Sequence, residues 1–280
     1  MNIAVLCAVY NRKETTIRGL TSLLKATAET PYSLEIFLLD DGSSDGTAEK
    51  VGELFPEVTI ISGSGDLYWN RGMCKAFEAS LASRDYDAYL LFNDDVEVLP
   101  QSTQTFFSEY ERLNAIRPTI VVGSTISRSS GETTYGAFVE TSRIKALAFA
   151  SVGAVDETTV CDTFNGNFVL VPGAFFRKVG GLDPKYHHGL GDIDLGLVAR
   201  RHGVNSVLAS DPIGYCEKGQ QQDSRLADAD LFQRWRLIFG APNGLGPYSH
   251  FVWKHRSRVL FPIYVGLNVV KKLTKLAGIK

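Results

Sequence analysis

The first hundred residues alternate between short apolar runs and segments with helical periodicity. Ile3–Val9 is a continuous apolar run, and Thr15–Ala26 carries leucine and isoleucine at helical spacing. The same alternation predicts further strands and helices, in chain order Leu34–Leu39, Thr47–Phe55, Val58–Ser62, Gly72–Ala82 and Ala88–Phe92. Near-continuous apolar strands separated by helices predict an α/β fold with a mostly parallel central sheet and helices on both faces.

The second half is less regular and predicts a small antiparallel portion. The predicted elements are a helix at Thr103–Ile116, strands at Ile120–Ser124, Thr133–Val139, Lys145–Ser151 and Phe168–Pro172, and a helix at Asp192–His202. Asp192 is a suitable N-cap for that last helix. We predict one domain over residues 1–240, made of halves 1–100 and 101–240, followed by a basic and apolar tail over residues 241–280.

Composition narrows the class of protein. The 280 residues carry a formal net charge of -2, which gives no general attraction to nucleic acid. The four cysteines are scattered without a CxxC pair, which disfavours a disulfide framework or a zinc knuckle and suits a reducing cytoplasm. The N-terminus lacks the features of a signal peptide, and no apolar stretch approaches the roughly 20 residues of a membrane span. We therefore expect a cytoplasmic protein.

Acidic residues follow two of the predicted strands. The second strand ends in the run Asp40–Thr47, with sequence DDGSSDGT, and the fourth ends in Asn93-Asp94-Asp95. We expect both clusters at the carboxyl ends of neighbouring parallel strands, facing one crevice. Clustered carboxylates repel one another unless a cation binds, and Mg2+ or Mn2+ commonly joins protein carboxylates to substrate phosphates. Asp41–Thr47 is equally compatible with a simple turn and helix cap.

Together with Val9-Tyr10-Asn11-Arg12, these motifs resemble family 2 glycosyltransferases of the GT-A fold. Gly63–Gly72 looks like the donor-binding loop, leading into a helix. Asn165–Phe168 and Gly180–Asp183 look like the acceptor-side signature, and Gly191–Leu195 looks like the catalytic-base motif. The resemblance covers roughly residues 1–220. It is closest to the branch that contains bacterial rhamnosyltransferase-like enzymes of surface-polysaccharide synthesis.

The resemblance implies a role for each matching position. Half 1–100 would bind a nucleotide-diphosphate sugar through Val9, Asn11, Asp40 and Asp94, with Asp40 on the base and Asp94 on the ribose. Asp95 would bind Mn2+ or Mg2+ as the last residue of the DxD motif. Half 101–240 would bind a glycan or lipid-linked acceptor, and Asp192 would be the general base of an inverting displacement.

Three positions depart from the pattern that the resemblance implies. Asn93 replaces the first acidic residue of the DxD motif, and Gly191 replaces the acidic residue that often precedes the base. A late histidine of the wider family is missing from residues 214–219, so its role is either lost or taken by Cys216 or Glu217.

Further candidates come from residue chemistry alone, each beside an ordinary structural explanation. Arg71 suits a phosphate clamp but is equally a surface loop cation. Trp69 could stack on a sugar or simply pack, and Asn165 and Asn167 could bind sugar hydroxyls or form a turn. His188 could contact the acceptor or the diphosphate, or lie exposed to solvent.

The tail combines apolar residues with one sign of charge. Residues 251–280 contain seven Lys or Arg and no Asp or Glu. Basic amphipathic segments bind anionic membrane surfaces, which predicts peripheral contact with the inner face of the cell membrane. Packing of the tail on the core, or a dimer contact, is an equal alternative. Because Pro262 interrupts one long helix, two short segments are expected.

Other classes of protein fit less well. A sugar-phosphate nucleotidyltransferase usually has a glycine-rich basic loop after its first strand, where this chain has Tyr10–Lys13. A dinucleotide oxidoreductase needs GxGxxG there, and in the later Gly63-Ser64-Gly65 run Tyr68 takes the place of the third glycine. A non-catalytic nucleotide-sugar or glycan-binding protein stays open because of Asn93 and Gly191.

Overall fold

The computed structural model describes residues 1–153, 157–219, 229–240, 242 and 244–277. Its first hundred residues follow the predicted alternation. The elements are β1 (Asn2–Val9), α1 (Lys13–Thr27), β2 (Ser33–Asp40), α2 (Thr47–Leu54), β3 (Thr59–Ser62), α3 (Tyr68–Ser83), β4 (Ala88–Phe92) and β5 (Glu97–Val98). Helix α3 begins four residues earlier than predicted, so Tyr68–Arg71 form its first turn instead of a loop.

The second half contains more short strands than the pattern predicts. Its elements are α4 (Pro100–Asn114), β6 (Thr119–Ile126), β7 (Thr133–Tyr135), β8 (Ala137–Glu140), β9 (Phe149–Val152), β10 (Thr159–Cys161), β11 (Thr163–Phe164), β12 (Phe168–Pro172), α5 (Gly173–Val179), α6 (Gly191–Arg201) and β13 (Asn205–Tyr215). The C-terminal helices are α7 (Leu231–Phe239), α8 (Leu245–His255) and α9 (Phe261–Leu276).

The main sheet has ten strands, eight of them in the order β10-β13-β6-β12-β4-β1-β2-β3, with β5 and β7 pairing at β13 and β6. Strand β1 is parallel to both β2 and β4, whereas β12 is antiparallel to β4 and β6. A smaller antiparallel sheet has the order β11-β8-β9. The prediction that β2 and β4 are neighbours is wrong, because β1 lies between them.

Alternating side chains of β1 enter the two apolar cores on opposite faces of the sheet. Ile3, Val5 and Cys7 pack with Leu20 and Leu23 of α1, on one face. Ala4 and Leu6 pack on the other face with Met73 and Phe77 of α3. Burial on both faces explains why the strand is a continuous apolar run and not an alternating one.

The tail packs on the second half of the molecule. Phe251 and Val252 of α8 are fully buried with Tyr186 and Leu197. The tail forms two helices, α8 and α9, as the position of Pro262 predicts, and Pro262 lies in the first turn of α9. No helix in the described ranges is long and apolar enough to cross a membrane.

Candidate active site

A cavity of about 730 Å3 opens beyond the carboxyl ends of β1 and β4. Both halves of the chain contribute to it, as expected for the crevice of an open α/β sheet. The predicted residues that line it are Val9, Trp69, Asp94, Asp95, Asn165, Asn167, His188 and Asp192. It is also lined by Tyr10, Arg12, Asp41, Tyr68, Asn93 and Tyr135. The structure therefore brings the predicted metal carboxylate and the predicted base to one space.

Arg12 bridges the two carboxylates after β4. Its Nη1 lies 3.1 Å from Asp94 Oδ1, and its Nη2 lies 2.8 Å from Asp95 Oδ2. Asp94 is buried and also accepts a hydrogen bond from Thr16 Oγ1 at 2.7 Å. Burial raises the pKa of Asp94 to about 6, while Arg12 and Thr16 oppose the rise. The carboxylate pair is thus held together by a built-in cation.

One carboxylate oxygen is left for a metal ion. Asp95 Oδ1 is buried and has no N–H or O–H donor within the described part of the chain, and the Cys216 thiol also interacts with this carboxylate. No group of three or more His, Cys, Asp or Glu that could hold a metal occurs among the described residues. Asn93 Oδ1 instead accepts a hydrogen bond from Trp69 Nε1 at 2.7 Å. The residues fit a cation that has Asp95 as its main protein ligand and completes its coordination on a phosphate-bearing substrate.

Asp192 lies across the cavity, at the start of α6. The prediction that it is the N-cap is wrong, because the helix begins at Gly191 and Leu190 occupies the cap position. Asp192 Oδ2 accepts from Gly166 N at 3.0 Å, and Oδ1 accepts from Ile193 N at 2.8 Å. Burial raises the pKa of Asp192, although these two hydrogen bonds lower it. A raised pKa makes a carboxylate a stronger proton acceptor.

Two glycines allow close packing around Asp192. A Cβ on Gly191 would lie 1.6 Å from Oδ1 of the buried Asn70, whose Nδ2 donates to the carbonyls of Asp183 and Tyr186. A Cβ on Gly166 would lie 2.5 Å from the Trp69 ring. Gly191 stands where the family often has an acidic residue before the base, and Asn70 occupies the space that such a side chain would need.

Backbone strain is concentrated around the cavity. Asn11, Tyr68 and Leu190 are the described non-glycine residues with positive φ, at 50°, 57° and 75°. Asn11 lies two residues before α1, Leu190 directly precedes α6, and Tyr68 is the first residue of α3; all three lie beside residues that line the cavity. Such conformations cost about 1–3 kcal/mol and persist where the surrounding structure fixes them, often at functional sites.

Three predicted donor residues do not line the cavity. Asn11 joins two loops, because its N–H donates to Ser43 Oγ and its Oδ1 accepts from Ser44 N. Asp40 is buried, and its Oδ1 accepts from Ser43 N. Arg71 Nε donates to the carbonyl of Pro184 at 3.0 Å.

Asp41, which had no predicted role, lines the cavity and organises the donor-binding loop. Its two oxygens accept hydrogen bonds from the N–H groups of Gly65, Leu67 and Tyr68 at 2.8–3.0 Å. The turn before α2 and the loop before α3 are therefore fixed to each other.

Cys216 and Glu217, the candidates for the missing histidine, line a smaller cavity of about 210 Å3 that shares Asp94 and Asp95 with the main one. Burial and the nearby Asp95 charge raise the pKa of the Cys216 thiol. Glu217 accepts from Ser127 Oγ and Arg128 N at 2.8 Å. Glu217 is thus bound to the turn after β6.

Asp194 faces away from the cavity. Tyr186 Oη donates to Asp194 Oδ1 at 3.1 Å, and Lys254 Nζ lies 2.8 Å from its Oδ2. His255 Nε2 lies 2.6 Å from Oδ1. Asp194 therefore joins α6 to the tail helix α8.

Sequence reasoning missed the roles of Arg12 and Asn70. Arg12 stands in the quoted motif after β1, but only the three-dimensional structure brings it to Asp94 and Asp95. Asn70 is fully buried and polar, a combination that needs specific partners. Those partners, Asp183 and Tyr186, are more than a hundred residues away in the chain.

The mixed sheet, the flanking helices and the cavity beyond β1 and β4 are those of a GT-A glycosyltransferase. The model of glycosyl transferase family 2 matches residues 4–169, more than half of the chain. The chain therefore belongs to glycosyl transferase family 2, as the sequence motifs predicted. No curated protein matches the chain significantly.

Two solved structures are similar to the chain, and the first of them agrees with this fold. The crystal structure of GalNAc-T7 with UDP, GalNAc and Mn2+ superposes with a TM-score of 0.55 at 13% identity, covering 97% of this chain. This chain spans 57% of the length of the GalNAc-T7 chain. The mannosyltransferase PcManGT from Pyrobaculum calidifontis, in complex with GDP-Man and Mn2+, gives 0.49 at 16% identity, covering 99% of this chain and 74% of that one.

Proposed function

We propose that this glycosyltransferase moves a sugar from a nucleotide-diphosphate donor to a glycan or lipid-linked acceptor, with inversion at the anomeric carbon, in surface-polysaccharide synthesis. The observation that carries the proposal is the shared cavity. It has the half-free carboxylate of Asp95 on one side and the Asp192 carboxylate, whose pKa is raised, on the other.

The donor side is assigned to the residues after β1 and β4. Asp94 is assigned to accept a hydrogen bond from a ribose hydroxyl, and Asp95 is assigned as the metal ligand, as in the family motif. A bound Mn2+ or Mg2+ would neutralise the negative charge that gathers on the departing diphosphate. Asp40 is assigned to the nucleobase, and Arg12, already beside both carboxylates, supplies further positive charge near the phosphates.

The acceptor side is assigned to the residues around Asp192. The acceptor oxygen attacks the anomeric carbon while the bond from that carbon to the diphosphate breaks. The diphosphate leaves with the electron pair, and Asp192 takes the hydroxyl proton. No second carboxylate of the described cavity lining is placed as a nucleophile, since Asp41, Asp94 and Asp95 are all bound on the donor side. One displacement inverts the anomeric configuration.

The C-terminal helices support a peripheral membrane contact. Exposed apolar side chains form one face of α9, at Ile263, Leu267 and Val270, and α7 adds Phe232 and Trp235. The tail has no acidic residue after position 250, so its charge complements an anionic lipid surface. The protein would then act at the inner face of the membrane, where lipid-linked acceptors are present.

Vesicle binding tests the membrane contact. Removal of the tail is unsuitable because it would expose Tyr186 and Leu197. We expect I263E/L267E to stop co-sedimentation with anionic vesicles at low salt, while the matched change of two exposed residues elsewhere, L81E/I116E, does not. Failure of the unchanged protein to sediment would refute the contact.

A thermal-shift series with nucleoside diphosphates and nucleotide sugars tests the donor assignment. A ligand at 100 times its Kd stabilises the native state by about 2.7 kcal/mol. We expect one nucleotide series to stabilise the protein, and Mn2+ to strengthen that effect. The matching sugar nucleotide should then give product with an acceptor. If no nucleoside diphosphate stabilises the protein with Mn2+ present, the proposed donor class is wrong.

A further inference from the structure

A third cavity, here called the tail cavity, lies between the loop before α6 and the C-terminal helices. Its volume is about 290 Å3. Leu147, Leu190, Ile238, Pro242, Pro247 and Tyr248 give it an apolar wall. Its polar wall is formed by Asn268, Lys271, Lys272 and Lys275 of α9. The tail cavity thus combines an apolar surface with concentrated positive charge.

The polar wall is one face of a helix. Residues 268, 271, 272 and 275 follow the spacing i, i+3, i+4, i+7, which places them side by side on α9. The described residues that line the cavity include three lysines and no Asp or Glu. Burial and the charge of Lys275 lower the pKa of Lys272, whose Nζ donates to the carbonyl of Ile238. Three lysines on one wall favour an anionic ligand.

The polar wall also offers an uncharged group. The Oδ1 atom of Asn268 is buried and has no hydrogen-bond partner among the described residues. Buried amide groups normally have partners, and leaving one without costs about 1–3 kcal/mol. A ligand with both donor and acceptor oxygens, such as a protonated phosphate, would satisfy it.

The exposed apolar face of α9 adjoins this polar wall. Ile263, Leu267 and Val270 form that face, with 57–64% of each side chain exposed, and Lys271 follows Val270 directly. A ligand with a phosphate and a hydrocarbon chain can therefore use both surfaces of the same helix. An inorganic anion would use only one of them.

The tail cavity also adjoins the active site at one residue. Gly189 lines both the tail cavity and the main cavity. Leu190, which follows it, lines the tail cavity and holds the N-cap position of α6, two residues before Asp192. A molecule bound by its phosphate in the tail cavity can thus extend past Gly189 toward the base.

We propose that the tail cavity binds the phosphate group of a lipid-linked acceptor, with the hydrocarbon chain along α9 and the acceptor hydroxyl directed toward Asp192. The inference deepens the proposed function, on which it rests, by assigning the acceptor class and the residues that select it. Lys271 and Lys275 hold the phosphate oxygens, Asn268 completes the hydrogen bonding, and Ile263 and Leu267 contact the chain.

Calorimetry with three soluble probes tests the site. The probes are dodecyl phosphate below its critical micelle concentration, inorganic phosphate, and the uncharged dodecyl maltoside. The test variants are K271E/K275E and the uncharged change N268L. The control K25E/K178E makes the same change of charge at two exposed lysines, each in the last turn of another helix.

We expect dodecyl phosphate to bind the unchanged protein at least about tenfold more tightly than either other probe. K271E/K275E should weaken that binding by about tenfold or more, because hydrogen bonds to charged groups are lost. N268L should weaken it several-fold, and K25E/K178E should not change it. Equal affinity for dodecyl phosphate in K271E/K275E and the control would overturn the assignment. Inorganic phosphate binding as tightly as dodecyl phosphate would overturn the lipid part.

Nucleoside diphosphate binding in the presence of Mn2+ is measured on the same preparations and separates the two proposals. Its retention in K271E/K275E shows that the variant is folded and that its donor site is intact. If every form binds dodecyl phosphate as expected but none binds a nucleoside diphosphate, the proposed donor chemistry fails and the tail site stands.

Discussion

Replacing Asp192 by Asn separates proton transfer from every other property of the site. The carboxylate accepts two backbone hydrogen bonds, one at each oxygen, from Gly166 and Ile193. The amide of Asn can accept only one of them, and its NH2 group faces the other donor. A neutral amide, however, avoids the free-energy cost of burying a charge, which is the cause of the raised pKa of Asp192.

These two effects on stability oppose each other. One lost hydrogen bond to a charged group lowers the free energy of unfolding by about 1.5–3 kcal/mol, and removal of a buried charge offsets part of that. We therefore expect a net loss of no more than about 2 kcal/mol. Loss of the general base should lower kcat by roughly 10²–10⁴-fold, equivalent to about 3–5 kcal/mol in the activation free energy. Donor affinity should change by less than about threefold.

Asp194→Asn is the matched control. Asp194 is two residues away and binds Tyr186, Lys254 and His255 instead of facing the cavity. Breaking this buried group should lower the free energy of unfolding by about 3–5 kcal/mol, while kcat of the folded enzyme stays within a few-fold. Asp192→Asn should therefore lose turnover and keep most of its stability, whereas Asp194→Asn should lose stability and keep its turnover.

Steady-state turnover, urea unfolding and donor calorimetry on both variants give the answer. The pH profile adds a check, because a base must be ionised to accept a proton. The kcat/KM of the unchanged enzyme should fall as pH drops through the raised pKa of Asp192, and the acid limb should be absent in Asp192→Asn. Turnover of Asp192→Asn within a few-fold of the unchanged enzyme would refute the assignment of the base.

Three other changes test the donor site, the packing and the tail. Asp95→Ala should abolish the Mn2+-dependent part of nucleoside diphosphate affinity without unfolding the protein, as calorimetry and circular dichroism would show; an unchanged Mn2+ effect would contradict the ligand role. Gly191→Glu should lower the free energy of urea unfolding by at least about 3 kcal/mol, because it displaces Asn70, whereas Gly189→Glu, with open space at its Cβ, should not. Burial raises the pKa of Asp183, but hydrogen bonds from Lys254 and His250 hold it at about 2. Asp183 thus stabilises the fold when the pH is above its ordinary pKa near 4, and this stabilisation is lost as the pH falls toward 2. The difference in the free energy of unfolding between the unchanged protein and Asp183→Asn should therefore shrink from about 2 kcal/mol at pH 7 to near zero at pH 2.

Local pattern was sufficient for the donor half. The central strands β1 and β4 are buried on both faces, so a continuous apolar run such as Ala88–Phe92 identifies each of them within a residue or two. The order of the strands was not available from pattern, because pairing depends on contacts distant in sequence. Thus β1, not β4, is the neighbour of β2.

The second half was harder because its strands are short or irregular. Gly136 divides the predicted Thr133–Val139 strand into β7 and β8, which belong to different sheets. The long strand β13 was not predicted, since Ser210, Asp211 and Pro212 resemble a turn; its register shifts at Pro212 against β6. Hydrogen bonds between residues distant in sequence, such as that from Asn70 to Asp183, could not be predicted either, because no local sequence periodicity indicates them.

Two departures from the family pattern, at Asn93 and Gly191, are explained by contacts with consecutive residues in the first turn of α3. Trp69 donates its indole N–H to Asn93, so an amide in place of a carboxylate at that position has a partner and stays ordered. Asn70 occupies the space that Gly191 leaves open. An acidic residue at position 93 would strengthen metal binding, and one at position 191 would collide with Asn70, so the substitutions have different physical consequences. With Asn93 in place of a carboxylate, a bound metal ion would depend on Asp95 and the substrate phosphates. Gly191 lets the first turn of α3 pack directly against the first turn of α6, the helix that carries Asp192.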